Sequence, residues 1–395
     1  MTGLLTSLAI VTDPRQARGK RYPLRDVLAI AVLGCLCGCD NAEALEDWGR
    51  KEHEWLSGFL ELPHGTPGQD VFLRLLAAIN PEQFREAFLT WMHELLGSLG
   101  IQGQIAVDGQ TNRGSRNRTA NRGPVHRVSA LACGDGLVLG QTKTDEKSNE
   151  IKAIPELLRL LDLRGALVSM DAMGCQVAIA KLIRAQQGDY LMGLKGNQST
   201  LRHETEALFE ISKVPHSINI DDARPPTVEQ ATETDKGHGR IETRTARIMV
   251  DFSAWVPAAA RWPDLTSLIA IESTREDIVS GKASTETRFY LSSREMSPQE
   301  ALVGTRNHWL VENQLHWCLD VTFGQDANQT RTKHAAENLA VVRHFALNLV
   351  RANACDRFSV PRRRRLCDYR IDYRERLLGL RPGPQRSSGR QAIGS

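Results

Sequence analysis

Three widely spaced carboxylates could together perform metal chemistry. Asp108 and Asp171 each end a short apolar run of the kind that forms a buried strand, and Glu312 lies in an apolar helical stretch. Carboxylate oxygens are the ligands that Mg²⁺ prefers. Two such ions about 4 Å apart can activate the attacking oxygen and stabilise the leaving oxygen of a displacement at phosphorus. The three acids therefore predict a metal-dependent phosphodiester centre.

The stretch around Glu312 leaves a second metal site open. Residues 305–323 are predicted to form one helix, and at about 100° per residue His308 and His316 lie to either side of Glu312. Burying an unpaired carboxylate costs several kcal/mol, so Glu312 is expected to be exposed, paired or bound to a cation. His308, Glu312 and His316, four residues apart, could alternatively hold zinc. The nearby Trp309 and Trp317 are predicted to pack in the core or to stack on an unpaired base.

The elements that must position the acids form an α/β core. Residues 104–198 are its first part. The predicted order is three strands, a helix, a strand, a helix and a strand, with hairpin-like connections between the first three. The acids end the first and fourth strands, and functional groups in such sheets gather at strand ends. If those strands are neighbours, Asp108 and Asp171 can reach one metal pair. This is the order of a ribonuclease H-like fold with a mixed five-stranded sheet, which expects a later helix to supply a third acid.

That helix is separated from the core by an insertion. Residues 199–295 are predicted to be β-rich, and residues 296–355 to hold the helix with Glu312 and the helix after it. Within the insertion, alternation along a strand puts Arg240 and Arg244 on the same face. They are expected either to form surface ion pairs or to contact phosphate.

The two ends of the chain have different characters. Residues 1–22 precede an all-α N-terminal domain at 23–97, in which Asn80 is a predicted N-cap and Gln83 could close a capping box. This domain is expected either to bind DNA or to serve packing or dimerisation. Residues 356–395 form an Arg-rich tail that is expected to be poorly ordered after Leu380.

Charge is concentrated locally on a nearly neutral chain. The 395 residues are 41% hydrophobic and 25% charged, with a net charge of +3, which suits two or three domains with real cores. Residues 361–395 carry ten arginines against three acids, and residues 113–127 carry five arginines and no acid. Such clusters fit contact with a polyanion, or a solvated tail and loop.

The cysteines and the hydropathy exclude other classes. Cys35, Cys37 and Cys39 lack the spacing of a zinc module and are predicted to pack in an apolar core. The apolar run at residues 27–37 is shorter than the ~20 residues that a bilayer requires. We therefore expect a cytoplasmic protein with reduced thiols and no membrane partner.

Several long stretches together resemble one family, the DDE transposases of insertion sequences, in particular the ISAs group with its H-repeat-associated proteins. The resemblance covers the chain from about residue 24 to residue 349. The stretches that carry it are IAVDGQTNRGS at 105–115, residues 128–176 including VSMDAMGCQ, YLMGLKGNQ at 190–198, HGRIETR at 238–244, RNHWLVENQLHWCLDVTF at 306–323, and AAENLAVVRHFALNLV at 335–350.

The resemblance implies a ribonuclease H-like catalytic core with an N-terminal helical associated domain, and a DDE triad at Asp108, Asp171 and Glu312. It implies Mg²⁺ as cofactor, with Mn²⁺ able to substitute, and cleavage at element ends followed by strand transfer. The expected partners are transposon ends with terminal inverted repeats, target DNA and a second copy in a homodimeric synaptic complex, at the nucleoid. The residues expected to hold DNA phosphates are Arg113, Arg116, Lys147, Lys195, Arg240, Arg244 and Arg306, and those expected beside the acids are His308, Asn313 and His316.

The chain departs from the family pattern outside the triad. Gln110 stands where the family usually has Lys, and Gln325 begins a pair that is usually acidic. The wider group places Tyr and Arg before its Glu and Lys after it, whereas Thr305, His308 and Leu319 stand at those offsets here. An alternative is therefore a domesticated or inactive relative that binds DNA without transposing.

Overall fold

The structure is a computed structural model that describes residues 1–99, 103–112, 125–144, 150–213, 226–237, 239–354 and 356–381. The chain begins with six helices: α1 Thr2–Leu8, α2 Leu24–Leu36, α3 Ala42–Lys51, α4 His53–Ser57, α5 Gln69–Ala78 and α6 Pro81–Leu99. The predicted cap of α6 is confirmed, since Asn80 Oδ1 accepts a hydrogen bond from Glu82 N at 2.8 Å. Gln83 does not close a capping box; its Oε1 accepts from Thr12 N at 3.1 Å.

The α/β core follows, and every predicted strand is present. Its elements are β1 Gln104–Asn112, β2 Val125–Ala132, β3 Leu137–Thr144, α7 Glu150–Arg159, β4 Leu167–Met170, α8 Val177–Ala185, β5 Asp189–Leu194 and α9 Ser199–Ile211. The strands β1, β4 and β5 are parallel neighbours, and β2 pairs with β3 in antiparallel fashion. The short apolar runs thus identified these strands correctly.

The insertion and the C-terminal helices complete the chain. They comprise β6 Val228–Gly237, β7 Arg240–Met249, β8 Ser267–Asp277, β9 Ala283–Ser292, α10 Pro298–His308, α11 Ala335–Ala352, α12 Val360–Tyr369 and α13 Ile371–Leu377. Between α10 and α11 lie two π-helical turns, Val311–His316 and Cys318–Thr322. The prediction of one continuous α-helix at residues 305–323 is therefore wrong, because most of this stretch after residue 310 is π-helical.

The sheet is larger than the predicted five strands. The observed order is β3-β2-β1-β4-β5-β9-β8-β7-β6, a nine-stranded sheet. The last insertion strand, β9, pairs antiparallel with β5. The reason is that β5 would otherwise present unpaired backbone groups along an open edge, and β9 satisfies them. The insertion thus continues the core sheet instead of forming a separate body.

One face of this sheet is covered by α10. Its residues Ala301 and Leu302 pack in a buried cluster with Leu167 of β4, Leu191 of β5 and Ile269 of β8. The contact is close: a Cβ at Gly304 would lie only 3.1 Å from a Leu191 methyl carbon. The helix that precedes Glu312 is therefore held against both the core strands and the insertion.

The helices at the two ends of the chain form one compact unit. The described residues of 1–99 and 316–381 belong to it, whereas those of 103–111 and 126–315 form the α/β unit. The ring of Phe345 in α11 lies 5.1 Å from Phe88 and 5.1 Å from Trp91 of α6. The N-terminal helices thus share a core with α11, which the sequence had placed in the α/β core. The N-terminal helices end close to the predicted residue 97, whereas residues 316–354, which were predicted to lie in the α/β core, belong to the helical unit.

The Arg-rich tail is partly structural. Arg364 of α12 and Arg374 of α13 are buried, and Arg364 donates to Cys35 O at 2.9 Å. The predicted disorder after Leu380 concerns residues 382–395, which lie outside the described residues. Cys35 and Cys37 are buried as predicted. No helix among the described residues is both long and apolar enough to cross a membrane.

Candidate active site

Two of the three acids lie just beyond the paired residues of adjacent parallel strands; Asp171 follows β4 as predicted, whereas Asp108 does not end β1, which continues to Asn112. The register pairs Val107 of β1 with Met170 of β4, so Asp108 and Asp171 each stand one residue beyond that pair. Neighbouring strands are about 4.8 Å apart, and equivalent positions point to the same face. The shared face is the one covered by α10, because Leu167 packs against that helix. The backbone register thus brings the first two acids together as the sequence predicted.

The loop that carries Asp171 is fastened on both sides. Asp171 Oδ1 accepts hydrogen bonds from Met173 N at 2.9 Å and from Gly174 N at 3.3 Å. From the loop after β5, Asn197 Nδ2 donates to Ala172 O at 2.6 Å. At Gly193 a Cβ would lie 3.3 Å from Ala172 N, which explains the small residue there. The carboxylate therefore projects from a braced turn.

Glu312 follows α10 in the first π-helical turn and its side chain is exposed. A π turn closes i→i+5 hydrogen bonds and often marks a functional site. Because it is wider than an α-helical turn, the spacing of about 100° per residue does not apply across it. The predicted angular positions of His308 and His316 on either side of Glu312 therefore do not apply, and Trp309 and Trp317 are exposed at 37% and 58% instead of buried in the core.

A polar cluster under α10 fixes the approach to Glu312. Gln104 Nε2 donates to Gly304 O at 2.8 Å and to Ser169 Oγ at 2.7 Å. Ser169 Oγ in turn lies 3.3 Å from His308 Nδ1. These buried bonds join β1, β4 and α10, so a displacement of the helix would break several at once. His308 is thus beside the acids, as predicted, and serves to hold the helix.

Asp171 and Glu312 open onto the same cavity, which has a volume of about 280 Å³. Three cations line it as well, Lys195, Arg202 and Arg288. His308, Trp309 and Tyr290 are among the other lining residues. The cavity therefore combines two of the candidate metal ligands with groups that attract an anion.

Negative charge is crowded at the acids. Burial, reinforced by the charge of Asp171 and more weakly by Glu312 and Glu150, raises the pKa of Asp108 to about 7. Burial also raises the pKa of Glu312, and the nearby Arg288 opposes this shift. Burial lowers the pKa of His308, so that imidazole is neutral at pH 7. A cation placed among the carboxylates would relieve the repulsion.

An all-carboxylate donor set fits a hard divalent ion. Among the described residues, no three His, Cys, Asp or Glu side chains already converge on one metal position. Asp171 and Glu312 are both exposed to the same cavity, so their carboxylates are accessible to an ion that enters it. The zinc alternative is less well supported, because His316 is buried and does not line this cavity.

The predicted DNA-contacting cations separate into groups. Lys195 and Arg240 are exposed, and Lys195 lines the cavity. Arg306 is exposed but paired with Asp235 and Glu233. Arg244 is buried and donates to Thr305 Oγ1 at 3.0 Å, so it ties β7 to α10 and is not available to DNA. Arg113, Arg116 and Lys147 lie outside the described residues, and the predicted neighbour Asn313 is exposed.

Sequence reasoning missed three residues of this site. Arg288 reaches the cavity from β9, and Asn197 and Gln198 brace the loop after Asp171, Gln198 through Nε2 to Cys175 O at 3.0 Å. The stretch KGNQ directly after a strand was a usable signal, because amides at strand ends commonly satisfy neighbouring loop carbonyls. Arg288 had no such signal, because only the pairing of β9 with β5 brings it near.

Comparison with known proteins identifies the family. The model described as DDE_Tnp_1-associated matches residues 5–92, and the model described as Transposase DDE domain matches residues 101–349. The second match covers more than half of the sequence, and the chain belongs to the DDE transposase family. It is accordingly an enzyme of the polynucleotidyl transferase class that depends on divalent metal ions.

Individual relatives agree with this assignment. The chain is 35% identical over 349 residues to the H repeat-associated putative transposase YhhI of Escherichia coli strain K12, covering 88% of this chain and 90% of that protein. It is 34% identical over 380 residues to the putative transposase YncI of Escherichia coli O157:H7, covering 95% and 94%. A cryo-EM structure of the piggyBac transposase synaptic complex with hairpin DNA aligns over 98% of this chain and 79% of that one, with 11% identity and a TM-score of 0.40, too low to establish a common fold.

Proposed function

We propose that this transposase cleaves DNA at the ends of an insertion sequence and joins the freed ends to target DNA. The observation that carries the proposal is the placement of the acids. Asp108 of β1 and Asp171 directly after β4 stand at equivalent positions on adjacent parallel strands, and Glu312 opens onto the same cavity as Asp171. The strand order of the first five strands supports a ribonuclease H-like core. The three acids would hold Mg²⁺, for which Mn²⁺ can substitute.

The bound metal ions would supply activation of the attacking oxygen and stabilisation of the leaving oxygen. The chain's own residues do the rest. Asp108 must lose the proton that it holds below about pH 7 before it can serve as a ligand. Exposed Lys195 is positioned to hold a DNA phosphate beside the acids. Asn197 keeps the Asp171 turn in place throughout.

The substrates would be transposon ends with terminal inverted repeats, and target DNA. Two copies of the chain would act together as a homodimer in the synaptic complex. Attack by water at an element end would release a 3′-hydroxyl, and attack by that hydroxyl on the target would complete strand transfer. A relative that only binds DNA is less well supported, because all three acids are intact and share one region of the fold.

Asp171→Asn tests the proposal on a duplex that carries the element's end sequence. We expect Mg²⁺-dependent cleavage to fall at least about a thousandfold, because a metal ligand supplies several kcal/mol to the transition state. Folding should be spared, because an Asn side-chain oxygen can still accept the hydrogen bonds of Met173 and Gly174. DNA binding in EDTA should stay within about twofold, since that affinity comes from phosphate contacts.

Asp277→Asn is the matched control. Asp277 Oδ1 accepts from Val279 N at 3.1 Å and from Ser280 N at 2.7 Å, the same pattern of bonds as at Asp171. It lies at the tip of the β8–β9 hairpin and does not line the cavity. Cleavage at parental rate by Asp171→Asn, or equal loss in both variants, would remove Asp171 from the metal centre.

A further inference from the structure

Charged residues form a row across four adjacent strands of the sheet. In the order β1, β4, β5 and β9, the positions at one edge are Asp108, Asp171, Lys195 and Arg288. Lys195 stands one residue beyond the pair Leu194–Phe289, which places it opposite Arg288. Arg288 is opposite Ile271, a member of the cluster under α10, so it points to the same face as the acids. The row thus runs from two acids to two cations.

Glu286 and Trp309 hold the side chain of Arg288 in a defined position. Its Nε donates to Glu286 Oε1 at 2.9 Å and its Nη2 to Glu286 Oε2 at 3.0 Å. Its guanidinium carbon lies 5.2 Å from the centre of the Trp309 ring, within the range of a cation–π contact. The side chain is 33% exposed. Because a guanidinium has five N–H groups and Glu286 takes two, donors remain for another acceptor.

The residues around Arg288 indicate which kind of acceptor it would bind. Arg288 shares the cavity of about 280 Å³ with Lys195, Arg202 and the carboxylates of Asp171 and Glu312. A phosphate group accepts paired hydrogen bonds from a guanidinium in a planar fork. A phosphodiester of a DNA strand that lies at the acids would extend along the row toward these cations.

We propose that Arg288, with Lys195 and Arg202, forms an oxyanion site for a DNA phosphate next to the one that is attacked. Trp309 positions Arg288, and the DNA strand crosses the sheet from β4 toward β9. This inference rests on the proposed function, because it takes Asp171 and Glu312 as the reacting end of the cavity. Arg288 is a binding residue here, since it contacts substrate away from the bond that breaks.

The salt dependence of DNA binding tests the site without metal. Full-length protein is titrated with the end-containing duplex in EDTA at several salt concentrations. Arg288→Gln should weaken binding about tenfold at the lowest salt and make the slope of log affinity against log salt shallower by about one, as expected for one lost phosphate contact. Arg288→Lys should restore the slope, because it retains the charge, while recovering only part of the affinity.

Arg164→Gln is the matched control. Arg164 also pairs with an acid two residues before it, through Nε to Asp162 Oδ1 at 2.9 Å and Nη2 to Asp162 Oδ2 at 2.6 Å. It precedes β4, at the opposite end of that strand from Asp171. If the slope of log affinity against log salt is the same for Arg288→Gln and Arg164→Gln, the proposal of an oxyanion site is refuted, whatever the affinities are. Because the assay contains no metal, it is independent of Asp171→Asn, whose failure would instead refute the metal centre.

Discussion

The helical unit and the α/β unit each contain an Arg–Glu–Trp group, and the two groups have opposite environments. In the helical unit, Arg374 has no exposed surface, is paired with Glu52 and lies 4.0 Å from the Trp55 ring centre. In the α/β unit, Arg288 is one-third exposed, is paired with Glu286 and lies 5.2 Å from the Trp309 ring centre. The same residue types thus meet in a sealed core and at the wall of an open cavity.

The difference shows that burial, not residue type, decides what such a group does. A buried guanidinium has given up its hydration, so its partners must satisfy it and the fold depends on them. Arg374 accordingly also donates to Cys367 O at 3.3 Å. An exposed guanidinium has given up little, so it can exchange a carboxylate for a phosphate at small cost. We therefore expect charge removal to affect stability in one unit and function in the other.

The largest effect should come from removing the charge of Arg374 in the buried Arg–Glu–Trp group. Arg374→Gln should lower the free energy of unfolding by about 3 kcal/mol, because the buried carboxylate of Glu52 then keeps only the exposed Lys51, at 3.6 Å, as a cation. Arg288→Gln should change it by no more than about 0.5 kcal/mol. Urea denaturation followed by circular dichroism measures both. Arg370→Gln is the control, because Arg370 is an exposed neighbour paired with Asp372. Equal small losses in all three variants would abolish the distinction between the units.

The next effect concerns pH and lies in the α/β unit. The folded-state pKa of Asp108 is about 7, above its ordinary value near 4, so the folded state retains a proton that the unfolded chain has already lost. The contribution of Asp108 to metal-free stability should therefore be greatest at about pH 4 and below, fall as the pH rises to about 7 and level off above it. The loss of unfolding free energy over this pH range is at most about 4 kcal/mol.

Asp108→Asn should remove this pH dependence and make the metal-free protein more stable than the parent at pH 8, while abolishing cleavage. Thermal unfolding in EDTA between pH 4 and pH 8 measures the effect, with Asp277→Asn as the control. Parallel curves for the parent and Asp108→Asn would show that Asp108 carries no such shift. In the parent, Mg²⁺ should raise the melting temperature more at pH 8 than at pH 6, because protons and metal compete for Asp108.

The smallest effect compares one amide bond in each unit. Asn197 Nδ2 donates to Ala172 O at 2.6 Å beside Asp171, and Asn353 Nδ2 donates to Leu377 O at 2.8 Å in the helical unit. Each Asn→Ala change should cost about 1 kcal/mol of stability. Only Asn197→Ala should also lower the cleavage rate per folded molecule, by about tenfold, because the Asp171 turn loses its brace. Equal cleavage rates per folded molecule in the two variants would show that Asn197 does not support the active site.

Much of the site was predictable because its first two acids depend on local patterns. Short apolar runs identify β1 and β4 and place an acid directly after each run, although β1 continues past Asp108 to Asn112 and only Asp171 follows a strand end. The N-cap at Asn80 was predictable for the same reason, since a cap involves only neighbouring residues. Glu312 was recognisable as an acid on an apolar helical stretch, although the π turn that presents it was not.

What the sequence determined by itself was therefore the strands, most helices and the three acids, all set by residues near each other in the chain. Tertiary structure decided which residues surround them. Pairing of β9 with β5 brings Arg288 to the cavity, burial removes Arg244 and Arg374 from the reach of DNA, and α11 joins the N-terminal helices. Those outcomes depend on contacts between residues far apart in sequence. Whether an arginine is sealed or exposed is set by the packing of its neighbours, which no local pattern records.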